Sequence, residues 1–365
     1  MKADVAIIGA GIIGMLTARE LIDAGHSVLL LERGQPARES SWAGGGILSP
    51  LYPWRYAEAV NALASLSQRA YPALIEVLQE ESGIDPEYET SGLLMTNVDD
   101  CVQAQHWAQS PGIELQKISA ATAQELEPQL AAQCKDALWM PTVAQVRNPR
   151  MMRALRVALE RRGVIFRSDT EVLGWRSEGR RVVAARTAQG EISADIFVVA
   201  TGAWTAGLLE STGLGLPIQP VRGQMILFNG PAGLLRRITL HEGRYAIPRR
   251  DGRIVFGSTL EYTGFEKCTT QEALKDLRQS AVALLPVLDD LPIEHHWAGL
   301  RPGSPDGVPV IGVHPELSNL HICAGHFRNG VVLGPGSARL LAQQIDGQRA
   351  EIDATPYLPE TIASQ

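Results

Sequence analysis

The N-terminal stretch alternates short apolar runs with one longer run of helical spacing. "DVAIIG" is a brief β-rich segment, "IIGMLTARELIDAG" sets its apolar residues at helical intervals and stops at Gly25, and "SVLLLE" reads as a second buried strand. The pattern predicts strand, tight turn, helix, strand. A small-residue segment, "ESSWAGGGILSP", comes next, followed by a long amphipathic helix from Tyr56 to about Glu81 and by polar, helical material to about Lys135. "NPRMMRALRVALERRG" predicts a helix capped by Asn148 with Pro149 at its first position. Beyond it lie the short strands "VIFRS", "EVLGW", "RVVAART" and "DIFVVAT". From Leu216 to about Ser258 the pattern is β-rich and broken by glycine and proline, as in "PVRGQMILF", "RYAIPRR" and "RIVFGST". A helix near Gln271–Leu285 interrupts, strands resume, and "GSARLLAQQID" is the last helix. The final twenty residues read as a loose tail. There is no internal repeat and no low-complexity linker.

Composition narrows the class. A chain of 365 residues can bury a large core and divide into about two domains. Its 45% hydrophobic and 20% charged residues are those of an ordinary globular protein. A net charge of −7 and a pI near 5.7 argue against nucleic acid or an anionic membrane as the main partner. Cys101, Cys134, Cys268 and Cys323 are far apart and form no CxxC pair, as expected of free thiols in a reducing cytoplasm. His295 and His296 are adjacent and would face opposite sides of a strand, so no metal site is expected. "VAIIGAGIIGMLTA" has the apolarity of a signal peptide. It has no basic region beyond Lys2, however, carries Asp4 before the apolar run, and lacks a small-residue cleavage site ahead of "RELIDAG". No run approaches the ~18 uninterrupted apolar residues of a membrane span. The expectation is a cytoplasmic enzyme.

Candidate chemistry begins at Gly9, Gly11 and Gly14, a G-x-G-x-x-G between the first strand and first helix. The first glycine permits a tight turn, the second lets the backbone approach a pyrophosphate, and the third lets helix pack on sheet. Glu32 ends the second strand eighteen residues after Gly14, close to the ~20 at which an acidic residue meets a ribose hydroxyl. Further glycine-rich elements lie far away, in "SSWAGGG", "VVATGAWT" and "GHFRNGVVLGPG". A long extended cofactor would use several such loops, which favours FAD over NAD. Two arginines, Arg301 and Arg328, sit in stretches that otherwise read as buried strand ends and glycine loops. Buried guanidinium is costly unless an anion meets it. That anion is open between the carboxylate of Asp306, a phosphate and a substrate.

Taken in order, "VAIIGAGIIG" with "LLER", "SSWAGGGILSP", "VVATGAWT", "PVRGQ", "LRPGSPDGVPVIG" and "GHFRNGVVLGPG" span nearly the whole chain. Together they resemble the FAD-dependent amine oxidases of the D-amino acid oxidase family, and within it the bacterial glycine-oxidising branch. The resemblance implies an α/β architecture: an FAD-binding Rossmann-like domain of the glutathione-reductase type, with an interleaved α+β substrate domain built on an antiparallel sheet. The expected division is 1–82, 145–215 and 316–348 for the FAD domain, 83–144 and 216–315 for the substrate domain, and 349–365 for the tail. Noncovalent FAD is expected, because "LRPGSPDGVPVIG" holds no cysteine for flavin attachment and Cys323 reads as a core thiol.

By the same resemblance, Ile12 and Ile13 lie in the phosphate turn, Glu32 and Arg33 at the adenosine ribose, and Ser40 and Ser41 on the pyrophosphate. Gly45, Gly46 and Ile47 run beside the flavin ring, and Val172 meets the adenine. His326, Phe327, Arg328, Asn329, Gly330, Val331 and Val332 wrap the ring and lead into the last helix. Arg301 matches the family's carboxylate-binding arginine, Tyr245 its tyrosine, and Arg328 a second arginine serving substrate or flavin. Leu260 is expected to wall the substrate pocket.

The implied reaction is oxidative deamination of glycine, sarcosine, D-alanine or D-proline. It runs by hydride transfer to flavin N5, and oxygen accepts the electrons to give hydrogen peroxide. The products are a keto acid or glyoxylate and ammonia. The resemblance also implies a homotetramer and supply of the glycine imine for the thiazole of thiamine. Other readings stay open: a D-amino-acid dehydrogenase passing electrons to a quinone, with "LYPWRY" at a membrane rather than serving as lid or packing loop; a NAD-dependent dehydrogenase; and a tRNA-modifying flavoprotein, which the acidic balance disfavours.

Overall fold

The computed structural model describes residues 3–110, 112–133 and 136–363. Lys2, Cys134 and Lys135 lie outside them. The first sheet has six strands in the order Val310–Val313, Leu320–Ala324, Ala194–Val199, Ala3–Ile8, Val28–Leu31, Ile165–Arg167. Every neighbouring pair is parallel except Val310–Val313 with Leu320–Ala324. Strands such as Val28–Leu31 are apolar at every position because helices cover both faces of a parallel sheet. The helices Ile12–Asp23, Glu58–Ser82, Asn148–Arg161 and Gly330–Ile345 supply much of that cover. Gly9, Glu32, Ala200 and Gly325 each follow the carboxyl end of a parallel strand, the edge at which doubly wound sheets bind ligands.

The second sheet has eight strands. In order they are Ile293–Gly303, Gln219–Asn229, Arg253–Gly257, Arg244–Pro248, Ile238–His241, Leu93–Thr96, Ala137–Met140 and Gln116–Ile118. It is antiparallel apart from the parallel pairing of Ile238–His241 with Leu93–Thr96. A third, three-stranded sheet is built from Val172–Glu178, Arg181–Thr187 and Gly190–Ile192. Among the described residues no helix is long and apolar enough to cross a membrane.

Several sequence expectations need correction. The stretch to about Lys135, expected to be helical, contains the strands Leu93–Thr96 and Gln116–Ile118 as well as the short helices Cys101–Trp107 and Ala120–Leu126. Three or four residues are too few to show an alternation, and Leu93–Thr96 is held partly by Ile238–His241, far along the chain. The strand Val310–Val313 joins the first sheet, so the first sheet reclaims the chain before residue 316. Asn148 does not cap its helix: the cap position is Arg147. The buried Asn148 amide instead donates to the Ser41 carbonyl at 2.8 Å. The last helix begins at Gly330, ahead of the expected Gly336, and carries Pro335 inside it. Proline normally marks a helix start because it lacks the N–H that would reach back four residues. Here the Tyr71 hydroxyl meets the abandoned Val331 carbonyl, and the Ser67 hydroxyl accepts the Gly336 N–H at 2.8 Å. The expected loose tail is packed as far as it is described. Tyr357 and Ile362 are buried, and the Tyr357 hydroxyl donates to the Ala59 carbonyl at 2.8 Å.

Candidate active site

Two of the nucleotide-turn glycines are enforced by contact. Gly9 has φ +104, and a Cβ there would stand 2.4 Å from the Ala200 carbonyl oxygen. A Cβ on Gly14 would stand 1.9 Å from the Gly9 carbonyl oxygen. The turn therefore closes only with bare backbone, and it delivers the N-terminus of the helix Ile12–Asp23 to a cavity of about 510 Å³. Every residue given a cofactor or carboxylate role from the sequence lines this cavity except Gly14, whose place is the helix–strand contact just described. The helix Gly330–Ile345 opens onto the same space through Asn329 and its own first turn. Two helix N-termini thus face one cavity and favour negative charge in it.

One part of the wall holds Glu32, Arg33, Ser41 and Trp204. Glu32 accepts from the Ala10 N–H at 2.9 Å and the Gly34 N–H at 3.2 Å, which fixes a carboxylate at the end of its strand. Ser41 accepts the Ile12 N–H at 2.9 Å. Arg33 Cζ lies over Trp204, 3.4 Å from the ring centroid, and Trp204 stacks on Phe265 at 5.6 Å. Trp204 and Phe265 line the cavity but carried no role in the sequence reading. The glycine-rich segment "VVATGAWT" carries Trp204 to the cavity, whereas Phe265 comes from a loop far along the chain with no local motif.

Another part of the wall gathers the two arginines. The Arg301 guanidinium donates to Ser258 Oγ at 2.6 Å and to the Thr259 carbonyl at 3.2 Å. Neither partner is a carboxylate, so the pairing with Asp306 is not what holds it. Burial pulls the Arg301 guanidinium below its usual value, Tyr245 works against that, and nearby Arg328 adds to it. Arg301 and Arg328 thus bring two guanidinium groups to one part of the wall, and a planar guanidinium is suited to bidentate pairing with a carboxylate. Gly45 lies against Tyr245: a Cβ there would be 3.1 Å from the ring. Phe327 N–H donates to the Pro302 carbonyl at 3.0 Å, tying the last glycine loop to the strand of Arg301. Arg328 donates weakly to the Gly243 carbonyl at 3.4 Å and also lines a second, adjoining pocket with Tyr52 and Arg55. "LYPWRY" therefore packs beside the site, with Tyr52 Oη accepting the Gly243 N–H and Arg55 paired to Asp100. Leu260 is half exposed and lies outside the cavity lining, which corrects its expected role.

Arg249, which the sequence reading passed over, is buried beneath the glycine loop. It donates to the Gly45 carbonyl at 2.7 Å, the Val146 carbonyl at 3.1 Å and Gln145 Oε1 at 2.8 Å. Desolvation lowers its pKa to about 10, so it stays charged at neutral pH. Among the described residues no cluster of three or more His, Cys, Asp and Glu could hold a metal ion.

The bare phosphate turn, the fixed carboxylate at Glu32 and the two helix N-termini fit an extended dinucleotide carrying a pyrophosphate. Comparison with known proteins points the same way. Residues 4–344 match the FAD dependent oxidoreductase family. The chain is 50% identical to a glycine oxidase of Pseudomonas aeruginosa over 98% of its own length and 99% of the relative's. It is 45% identical to a glycine oxidase of Pseudomonas putida, over 99% of each. The solved structure of glycine oxidase from Geobacillus kaustophilus superposes with a TM-score of 0.92 at 29% identity, covering 98% of both chains.

Proposed function

This chain belongs to the FAD dependent oxidoreductase family, and from that premise we propose that it oxidises glycine and related small amines or D-amino acids. The carrying observation is the convergence of Arg301, Tyr245 and Arg328 on the cavity that also receives the phosphate turn. FAD, when bound, supplies a two-electron acceptor; Glu32, Arg33, Ser40, Ser41 and Val172 would hold its nucleotide part. Gly45, Gly46, Ile47 and the run His326–Val332 would flank the ring.

The protein's own work is positioning. Arg301 takes the substrate carboxylate with its planar fork, the Tyr245 hydroxyl adds a hydrogen bond, and Arg328 adds positive charge. No protein base is required if the neutral amine is bound, because the α-hydrogen leaves with its electron pair. Glycine gives an imine that water hydrolyses to glyoxylate and ammonia, and dioxygen takes up the two electrons and two protons as hydrogen peroxide. The same reading carries supply of the imine to thiazole synthesis, a cytoplasmic location and a homotetramer; light scattering on the purified protein checks the last.

The deciding experiment is anaerobic mixing of the purified flavoprotein with glycine, then admission of air. Bleaching of the flavin band with recovery in air supports the oxidase. Bleaching without recovery favours transfer to a quinone. No bleaching with glycine, sarcosine or D-proline overturns the substrate class.

A further inference from the structure

The residues Arg222, Gly223 and Gln224 of "PVRGQ" have no role in the site as described, yet they stand beneath it. They lie on the strand Gln219–Asn229, where Gly223 pairs with Gly299, two residues from Arg301 on the neighbouring strand. Successive side chains on a strand point to opposite faces. On one face a Cβ at Gly223 would come within 2.2 Å of Arg301 Nη1 and 2.4 Å of its Cζ. The guanidinium therefore lies on bare backbone, and any side chain at 223 would displace it.

On the other face, Arg222 donates to Glu261 Oε2 through Nε at 3.0 Å and Nη2 at 2.5 Å. Gln224 donates to Glu261 Oε1 at 2.9 Å, and Thr259 Oγ1 donates to the same oxygen at 2.5 Å. The Gln224 N–H in turn donates to Thr259 Oγ1 at 2.8 Å, and Arg222 and Glu261 exchange backbone hydrogen bonds at 2.9 Å in both directions. Thr259 is thus held by its side chain on one side while its carbonyl, with Ser258 Oγ beside it, receives Arg301. Two of the five guanidinium donors are fixed in this way, and Tyr245 stands beside the same guanidinium.

We propose that Glu261, locked by Arg222 and Gln224, is a positioning residue for substrate binding: it acts through Thr259 to aim the Arg301 guanidinium, with Gly223 as the bare floor. This rests on the reading of Arg301 as the carboxylate-binding residue. A side chain so held is pre-organised, and an error of about 1 Å at such a clamp can cost on the order of 100-fold.

The test titrates acetate, a bare carboxylate probe, into FAD-loaded enzyme while following the flavin spectrum, alongside steady-state kinetics with glycine. Arg301→Met should abolish acetate binding. Glu261→Ala should weaken acetate binding and raise KM by roughly 10-fold or more, with a smaller fall in kcat, as expected when an interaction common to ground and transition states is loosened. Glu261→Gln, which still accepts from Thr259, should recover part of the loss. Gly223→Ala leaves the Arg222–Glu261 pair intact and should weaken acetate binding by displacing the guanidinium; it decides the matter if Glu261→Ala does not fold. If Glu261→Ala and Gly223→Ala bind acetate like wild type while Arg301→Met does not, the positioning role is wrong and the substrate reading stands. If Arg301→Met also binds acetate unchanged, the substrate reading fails and takes this inference with it.

Discussion

The Tyr71 hydroxyl donates to the Val331 carbonyl at 2.5 Å, and Val331 is the residue four positions before Pro335 in the last long helix. A proline cannot return a hydrogen bond to that carbonyl. The tyrosine of a distant helix therefore lets the glycine-rich segment "GVVLGPG" continue as helix with its N-terminus on the cavity.

Tyr71→Phe keeps the ring and leaves the Val331 carbonyl without its donor. A buried unsatisfied carbonyl costs about 1–3 kcal/mol, so urea unfolding should show a loss of that order. An unchanged midpoint would mean that another donor, or water, replaces the hydroxyl.

Arg301→Lys retains the charge and loses the planar fork. The lysine cannot make two parallel bonds to a carboxylate while also reaching Ser258 and Thr259. A loss of roughly 100-fold in kcat/KM for glycine is expected, about 3 kcal/mol, in the range of charged hydrogen bonds. A lysine variant with near-normal kcat/KM would show that charge alone binds the substrate.

Trp204→Ala removes the platform under Arg33 and beside Phe265. Cation–π contacts are worth about 0.5–2 kcal/mol depending on exposure, so FAD should dissociate between roughly 2-fold and 30-fold more readily. Flavin fluorescence on dilution reads this directly, without any turnover. Identical release from variant and wild type would remove Trp204 from the cofactor site.

Burial lowers the pKa of His321 to about 4 and of His326 to about 3, against about 6.5 in an unfolded chain. Both rings stay neutral in the folded protein while the unfolded chain takes up protons below about pH 6.5. Stability is therefore full above that pH and is lost as pH falls toward 4, by about 1.4 kcal/mol per histidine per unit. His321→Gln should flatten this slope in denaturation curves at pH 7, 6 and 5. A stability independent of pH over that interval would contradict the burial of these rings.

The sequence alone singled out the glycine turn, Glu32 and the scattered glycine loops, which the fold gathers on one cavity. Each is a local demand: a turn that admits no Cβ or a helix start facing an anion can be met only by particular residues at fixed spacing. Arg301 stood out for a related reason, since a guanidinium in an apolar strand end needs an explanation wherever it occurs. Tertiary structure decided what those residues touch. Asn148 forsakes its cap because the Ser41 carbonyl is nearby, Pro335 stays inside a helix because Tyr71 is near, and Arg301 is aimed by Thr259 and floored by Gly223. Trp204, Phe265 and Arg249 enter the site from segments with no shared local pattern. Spacing along a chain encodes backbone geometry within a turn or an element; contacts between elements depend on the packing of the whole, which no short window contains.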